Sequence, residues 1–328
     1  MNGEPLGAGS LTGARFPDMP AGYESYYLRA CHPDGGLGVW IRYTAHRRPG
    51  AQPTGALWFT LFEESGPTAT KVSGPPVVAD WIRIGDAALG PGRAHGSAHG
   101  PAHDVAWDLR FSGAAPLCHL PFGPLYRVPV PRTKPVSLHP VARFDGSITV
   151  GGRDIEVSAW PGMVGHNWGA QHAERWIWLH GMGFLGAGDT TWLDLTFGRI
   201  RIGGRVTPWV ANGAIAIRGE RIRLGGLTRD RRPRIEESPA HLWFAVPGKE
   251  IVVAGTAEAP RERVVGWVYA DPDGSDHHTA NCSVADLTIR VARPGLPALN
   301  LRAPGLAAYE LGMRERDHGI PIQPFPDG

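Results

Sequence analysis

The chain has 328 residues, of which 42% are hydrophobic and 20% charged, and its formal net charge is +2 at pH 7. This length accommodates two domains of ordinary size or one large one, and the composition excludes a largely disordered chain. Basic and acidic residues are balanced and scattered, which argues against a nucleic-acid partner. The one basic cluster, 229–234, is interrupted by an aspartate and a proline, and we interpret it as a solvated turn.

The first 20 residues are rich in glycine and proline and lack the pattern of a signal peptide, so 1–20 is predicted to be a flexible N-terminus. No run of about 18 apolar residues occurs, and we expect no integral membrane segment. The three cysteines lie far apart, and an odd count without CxxC spacing predicts neither a disulfide framework nor a zinc site. A cytoplasmic location is the default expectation.

From residue 37 onward, short runs with two-residue alternation predict β-strands. Tight-turn pairs such as Asp145-Gly146 and Asn212-Gly213 separate them, because these residues adopt the positive φ angles of hairpins. No long segment has a helical period with caps at both ends, so the fold class is all-β and mostly antiparallel. In chain order, the predicted strands are 37–44, 56–62, 105–111, 148–157, 176–180, 192–197, 214–217, 242–246, 251–256, 264–269 and 287–291.

Many short strands joined by hairpins favour barrels, since closure removes exposed sheet edges. About eight strands enclose one small ligand, and the chain has room for roughly twice that number. We therefore predict two lipocalin-like antiparallel β-barrel domains, packed against each other, over 21–164 and 165–328. The proline-rich stretch 116–140 is either the seam between them or a crossover loop inside the first barrel.

Two consecutive predicted strands share an aromatic face with polar side chains. Alternation places on this face Trp176, Trp178 and His180 of one strand and Trp192, Asp194 and Thr196 of the next. Large aromatic rings with a few polar groups are typical of a hydrophobic-ligand pocket. Alternatively, the tryptophans only pack between the barrels.

A second candidate is the segment Gly165-His166-Asn167-Trp168-Gly169. The glycines allow a sharp bend or a close approach of another element. His166 is a candidate acid or base because its ordinary pKa lies near neutrality, or else it is part of a structural junction between the domains.

Several other patterns are weaker evidence of a functional site. The segment 181–186 matches GxGxxG, but another strand follows where a dinucleotide site needs a helix, so no nucleotide is predicted. His95, His99 and His103 recur at a spacing of four among glycines, which indicates a solvated loop or a weak metal site. The polar run 276–283 is interpreted either as solvent-exposed side chains of a hairpin without a functional role or as part of a barrel mouth. No motif of a hydrolase, zinc protease or phosphate-transfer enzyme occurs.

The segment 165–169, followed by Trp176-Ile177-Trp178-Leu179-His180, resembles the carotenoid 1,2-hydratase/AttH-like superfamily of two-barrel, lipocalin-like (calycin) proteins. Tocopherol cyclases and fungal Diels–Alderases are similar in architecture. Supporting stretches lie at 23–29, 39–44, 57–59 and 309–312, so the resemblance covers the chain from about residue 20 to its end.

The resemblance implies a pocket for a terpenoid, polyene or polyketide-like molecule and chemistry without an organic cofactor. It carries over to His166 and Trp168 only. The carotenoid hydratases have an acidic residue directly before this histidine, and Gly165 stands there in this chain, so carotenoid hydration is not expected. Asp194 or Glu174 are candidate substitutes for that acid.

The predicted function is a cofactor-independent cyclase, isomerase or hydratase that acts on a hydrophobic small molecule. A non-catalytic carrier or sensor of a lipophilic ligand is the alternative, and an interaction protein whose tryptophans hold the barrels together is the third hypothesis. No cofactor, metal or nucleic acid is predicted, and the oligomeric state stays open. The candidate catalytic residues are His166, His180 and Asp194, and the candidate ligand-binding residues are Trp168, Trp176, Trp178, Trp192 and Trp243.

Overall fold

The computed structural model describes residues 13–100 and 103–325. This part of the chain is built almost wholly from antiparallel strands, which confirms the predicted fold class. Its helical structure consists of four 3-10 turns, Phe16–Asp18, Gly123–Tyr126, Arg229–Arg231 and Arg261–Arg263. No helix among these described residues has the length and apolar character needed to span a membrane.

Twenty-four strands follow one another along the described residues. They are β1 (Gly22–Cys31), β2 (Gly38–Arg47), β3 (Thr54–Glu63), β4 (Gly66–Gly74), β5 (Pro76–Val78), β6 (Ile82–Ile84), β7 (Ala87–Gly90), β8 (Arg93–His99), β9 (Asp104–Gly113), β10 (Leu117–Cys118), β11 (Thr133–Val150), β12 (Arg153–Gly169), β13 (Arg175–Gly181), β14 (Trp192–Arg199), β15 (Arg201–Ile202), β16 (Arg205–Val206), β17 (Val210–Ile217), β18 (Glu220–Gly225), β19 (Arg234–Ser238), β20 (His241–Gly248), β21 (Ile251–Glu258), β22 (Val265–Ala270), β23 (Asp276–Ala292) and β24 (Leu299–Met313).

These strands form two barrel-like sheets and one small hairpin. The first sheet has the order β4-β3-β2-β1-β12-β11-β9-β8-β7-β6-β5, with β10 beside β11. The second has the order β18-β17-β14-β13-β24-β23-β21-β20-β19, with β22 beside β23, and a pairing of β18 with β20 closes it. The hairpin β15–β16 stands apart from both sheets.

The change from one sheet to the other falls at 170–174. Strand β12 continues past the expected boundary at residue 164, because its last residues still pair with β1 and β11. We therefore propose that the division between the two units lies at 170–174. The proline-rich stretch 116–140 contains β10 and part of β11, and so belongs to the first sheet.

The predicted flexible N-terminus, 1–20, lies largely outside the described residues. Its described part, 13–20, contains the turn Phe16–Asp18, and the side chain of Phe16 is buried in the core of the first sheet. At least this part of the segment is therefore packed against the barrel.

The structure also shows the conformation of two minor sequence patterns, the histidines at a spacing of four and the GxGxxG segment. His95 and His99 lie in strand β8, not in the loop predicted for them, because β8 pairs with both β7 and β9. The GxGxxG segment follows β13 and leads by turns into β14 without a helix. The feature that a dinucleotide cradle requires is thus absent from this described segment.

Strand β1 and the last part of β12, from Trp160 onward, are largely buried on both faces and lie between the two cores. One face of β1, with Tyr26 and Leu28, belongs to the core of the first barrel. The other face meets the second sheet: Arg29 donates hydrogen bonds to the carbonyl oxygens of Ser283 and Leu306 at 2.7 and 3.1 Å. The two barrels consequently share a buried interface, and a side chain's position along β1 or β12 decides which barrel it faces.

Candidate functional site

A cavity of about 740 Å³ lies between the two sheets. That volume falls in the range of about 300–1,000 Å³ typical of small-molecule sites. The interaction-protein hypothesis expects filled barrels without such a cavity, so the volume argues against it. Its aromatic wall is formed by Tyr23, Tyr27, Trp40, Trp176, Trp178 and Tyr269. Polar groups on the same wall are Arg42, Asn167, His172, Glu174, Thr196, Asn212, Glu310 and Arg314.

Two of the predicted tryptophans, Trp176 and Trp178 of β13, reach this wall. The indole N–H of Trp176 donates to Oε1 of Glu310 at 2.9 Å, and that of Trp178 donates to Oδ1 of Asp194 at 3.3 Å. Trp178 also packs edge-on against Tyr27 of β1, with ring centroids 5.3 Å apart. Each ring is therefore held in place by a carboxylate.

Glu310 of β24 places a carboxylate at the cavity wall. Besides Trp176, it accepts a hydrogen bond from the Tyr269 hydroxyl at 3.1 Å and one from the Asn281 amide at 2.9 Å. Its side chain is 8% exposed. Three donors converge on one carboxyl group, which orients it firmly beside the aromatic rings.

The link between the two sheets brings a histidine to the same wall. The backbone N–H and Nδ1 of His172 both lie 2.8 Å from Oδ1 of Asp271, which follows β22. The imidazole is stacked between Tyr23, at a centroid distance of 4.1 Å, and Trp176, at 5.2 Å. None of the described residues hydrogen-bonds Nε2, so this nitrogen is available to a ligand.

The protonation states of this pair follow from its surroundings. Burial lowers the pKa of His172, and the hydrogen bond to Asp271 offsets this only in part. Burial tends to raise the pKa of Asp271, but the hydrogen bonds from His172 and the nearby ring of His277 outweigh it, and the pKa of Asp271 is lowered. Near neutral pH a carboxylate thus faces a neutral imidazole that carries its proton on Nδ1. This arrangement leaves a lone pair on Nε2 and is typical of an oriented general base.

His277 of β23 makes the group a possible metal site. One ligand atom each of His172, Asp271 and His277 lies within 4.8 Å of the others, and His277 Nδ1 is 3.2 Å from Asp271 Oδ2. However, Nη2 of Arg314 lies 3.8 Å from the same oxygen, and the charge of Arg42 lowers the pKa of His172. One carboxylate beside two guanidinium groups disfavours a divalent cation, so the hydrogen-bonded pair describes the site better.

His166 lies on the other face of β12, within the first barrel, and does not line the cavity. Its Nε2 is 2.6 Å from Oε1 of Glu24, and its ring stacks on Tyr26 at 4.1 Å and on Trp168 at 4.7 Å. Glu24 also accepts the backbone N–H of Phe16 at 2.6 Å. Glu24 therefore ties the N-terminal segment to the barrel. Because burial lowers the pKa of His166, its contact with Glu24 is a hydrogen bond from a neutral imidazole near neutral pH.

His180 is fully buried at the interface, with both ring nitrogens occupied. Nδ1 accepts a hydrogen bond from Nη1 of Arg29 at 2.9 Å, and Nε2 donates to the carbonyl oxygen of Pro140 at 2.7 Å. Burial lowers the pKa of His180 to about 4. No ring atom remains to exchange a proton with a ligand in the cavity.

Asp194 lies directly opposite His180 in the β13–β14 register, behind the indole of Trp178. Its Oδ2 accepts a hydrogen bond from the Ser137 hydroxyl at 2.5 Å and lies 3.6 Å from His119 Nε2. Burial alone would raise the pKa of Asp194, but the charge of His119 and these hydrogen bonds lower it. Asp194 therefore positions Trp178 and does not itself face the cavity.

The remaining predicted tryptophans lie away from the cavity. Trp168 packs in the first barrel, and Trp192 is buried in the second, with Arg221 at 5.3 Å over its ring. Trp243 is half-buried on β20. Sequence reasoning did not predict Tyr23, Tyr27, His172, Asp271 and Glu310 as site residues. Only the two tyrosines carry a signal, since they lie four residues apart and so on one face of the same strand.

Gly165 leaves room for a phenol at the cavity wall. A Cβ atom at this position would lie 2.2 Å from Cζ of Tyr27 and 2.5 Å from its hydroxyl. The resemblance places an acidic side chain here, and Tyr27 occupies that space instead. Burial raises the pKa of Tyr27, so the phenol is a neutral hydrogen-bond donor near neutral pH.

We expect Gly165→Ala to destabilise the protein by about 1–3 kcal/mol, because Tyr27 must leave its position against Trp178. Urea denaturation would measure the change. Gly90→Ala is the matched control, since a Cβ there meets nothing within 4 Å. Equal stability of the two variants would show that Tyr27 moves at no cost.

Two antiparallel barrels with an aromatic cavity between them are the architecture of the two-barrel, lipocalin-like class of protein. Solved structures with this architecture include an AttH-like protein from Nitrosomonas europaea, with a TM-score of 0.55 and 15% identity over 96% of this chain and 98% of that one. CghA has a TM-score of 0.57 and 11% identity over 90% and 88% of the two chains. Kievitone hydratase from Nectria haematococca has a TM-score of 0.53 and 11% identity over 89% and 88%.

The predicted resemblance is thereby confirmed at the level of the fold. No family model matches the chain. An uncharacterised protein of Mycobacterium tuberculosis is 28% identical to it over 287 residues, which cover 82% of this chain and 80% of that protein.

Proposed function

We propose that the protein is an enzyme that binds a hydrophobic small molecule between its barrels and moves a proton through His172. The main observation behind this proposal is the neutral imidazole of His172, which Asp271 orients at the wall of an aromatic cavity. Cyclisation, isomerisation and hydration are the reaction types that such a site can promote. All three can use a base that takes a proton from carbon or from water.

The residues around His172 suit this role. When Nε2 takes a proton, the imidazolium gains stabilisation from the Asp271 carboxylate and from the ring faces of Tyr23 and Trp176. The carboxylate of Glu310 and the indoles stand where they would stabilise positive charge that develops on the substrate. Rigid aromatic walls would also hold a flexible chain in a reactive conformation.

The comparisons support a small-molecule enzyme of this fold. One structural neighbour is named a hydratase, and CghA has also been solved together with the small molecule Sch210972. The titratable groups in the wall favour an enzyme over a carrier, since a carrier needs only apolar contacts. Terpenoid, polyene and polyketide-like molecules are the substrate classes we propose for the cavity.

Native mass spectrometry of the purified full chain tests the proposal by identifying a co-purified molecule. That molecule is then incubated with the protein in D2O. Conversion to an isomer or hydrate, with deuterium bound to the reacting carbon, is the expected result. Recovery of the molecule unchanged and without carbon-bound deuterium would support the carrier instead.

Trp176 provides a direct test of the cavity wall. We expect Trp176→Ala to weaken binding of the identified molecule roughly ten-fold, because the variant loses one ring from the wall. Isothermal titration would measure this. Trp243→Ala is the control, since Trp243 is also half-buried but lies away from the cavity. Equal losses in the two variants would argue against binding at this wall.

A further inference from the structure

Large hydrophobic side chains are exposed around the mouth of the cavity. They lie in three segments, 120–133, 200–207 and 226–232, which we call the mouth rim. Phe122 is 60% exposed, Ile202 56% and Leu227 53%. Val128 and Val130 are exposed as well. Val130, Ile202 and Leu227 also line the cavity, which places the three segments around one opening.

The mouth rim is also strongly basic. It contains seven arginines, one aspartate and no lysine or glutamate, a net charge of +6 in a chain whose total is +2, so the rest of the chain carries −4. The positive charge is therefore concentrated around the opening. The arginines are Arg127, Arg132, Arg201, Arg205, Arg229, Arg231 and Arg232.

We infer that the mouth rim docks on an anionic lipid surface. Arginines attract the negative headgroups, and the exposed apolar side chains gain free energy by entering the boundary between headgroups and acyl chains. A nucleic acid would be attracted by the charge but offers no environment for Phe122, Ile202 and Leu227 between its phosphates. The combination of the two features in one rim fits a lipid surface best.

Docking through the mouth rim would bring the cavity opening to the lipid surface. The opening of the cavity would face the bilayer, so a hydrophobic molecule could pass between the lipid and the aromatic wall with little exposure to water. The inference does not depend on any reaction, because lipid binding can be measured without a substrate. Failure of the proposed enzyme activity would thus leave it untouched.

Co-sedimentation of the full chain with vesicles tests the inference. Vesicles of pure phosphatidylcholine are compared with vesicles that also contain phosphatidylglycerol, at low and high salt. We expect binding to the anionic vesicles, weakened by salt because six of the seven rim arginines are exposed. Each charge reversal is expected to weaken binding about five-fold or more, following the usual contribution of one basic residue near an anionic surface.

Two sets of variants locate the surface. The rim set combines Arg127→Glu, Arg205→Glu and Arg232→Glu, and separately Phe122→Ser and Ile202→Ser. The control set combines Arg83→Glu, Arg290→Glu and Arg302→Glu, and separately Leu185→Ser and Leu296→Ser, which are exposed away from the rim. Thermal unfolding identifies any variant that does not fold, and the single substitutions then replace it.

Loss of vesicle binding in the rim set alone would support the inference. No binding of the unaltered chain to anionic vesicles would overturn it, as would equal losses in both sets. Tighter binding to a short DNA duplex than to anionic vesicles at the same salt would also overturn it, since the rim would then recognise a polyanion and not a lipid surface.

Discussion

Replacing His172 by glutamine is expected to lower turnover by about 10²–10⁴-fold, the usual contribution of a positioned general base. Glutamine retains a polar side chain of similar reach, and the cavity keeps its aromatic wall. Binding of the molecule identified by mass spectrometry should therefore change little while its conversion nearly stops. Steady-state turnover and isothermal titration on the same variant measure the two effects separately.

Asp271→Asn is expected to lower turnover comparably, for a different reason. The asparagine amide can donate a hydrogen bond to Nδ1, which moves the imidazole proton to Nε2 and removes the lone pair that faces the cavity. Because Asp271 also raises the pKa of His172 against the effect of burial, its loss should lower that pKa further.

The pH profile separates this role from a structural one. In the unaltered protein the rate should rise with pH through the pKa of His172, below its ordinary value of 6.5, and level off near neutrality. In Asp271→Asn the residual rate should rise at a lower pH. His166→Gln is the control, since His166 faces the other barrel. A larger loss of turnover in His166→Gln than in His172→Gln, with both variants folded, would refute the assignment.

The all-β fold could be predicted from the sequence because strands and turns are specified by residues close together in the chain. Two-residue alternation specifies strands over a few residues, and the pair Gly151-Gly152 between β11 and β12 has the positive φ angles of a hairpin turn, 57° and 82°. The pairs Asp145-Gly146 and Asn212-Gly213 do not form the predicted turns, because they lie inside β11 and β17 and pair with neighbouring strands there. The aromatic face of β13 follows from the same alternation. A relation between residues that are neighbours in one strand can be deduced without knowing how the strands assemble.

The proposed proton-transfer pair could not be predicted in this way. His172 and Asp271 are separated by 99 residues and lie in the connections outside β13 and β22, where no period marks a facing side. His166 and His180 show a second obstacle. Alternation assigns them a face, but their strands are buried on both faces, and only the packing of the two barrels decides which face meets the cavity.

His180 makes the folded protein sensitive to mild acid. Its pKa is about 4 in the folded state, against 6.5 for an ordinary histidine, because burial disfavours the charged ring. Between these values the unfolded chain binds more protons than the folded one, so the free energy of unfolding falls as the pH falls. Above pH 6.5 the neutral ring of His180 costs the folded protein no stability. As the pH falls from 6.5 to the folded pKa, the free energy of unfolding drops by about 3 kcal/mol.

Urea denaturation near pH 7 and near pH 5 would reveal this effect. We expect His180→Gln to be less stable than the unaltered protein at pH 7, because two buried hydrogen bonds are altered. Its further loss between the two pH values should be smaller by about 2 kcal/mol, since the variant lacks the group that takes up the proton. His241→Gln, at an exposed histidine, is the control and should keep the full pH dependence. If His180→Gln kept it as well, His180 would not be the group whose protonation weakens the barrel interface. Two other histidines whose pKa is lowered by burial, His166 and His172, would then be tested in the same way.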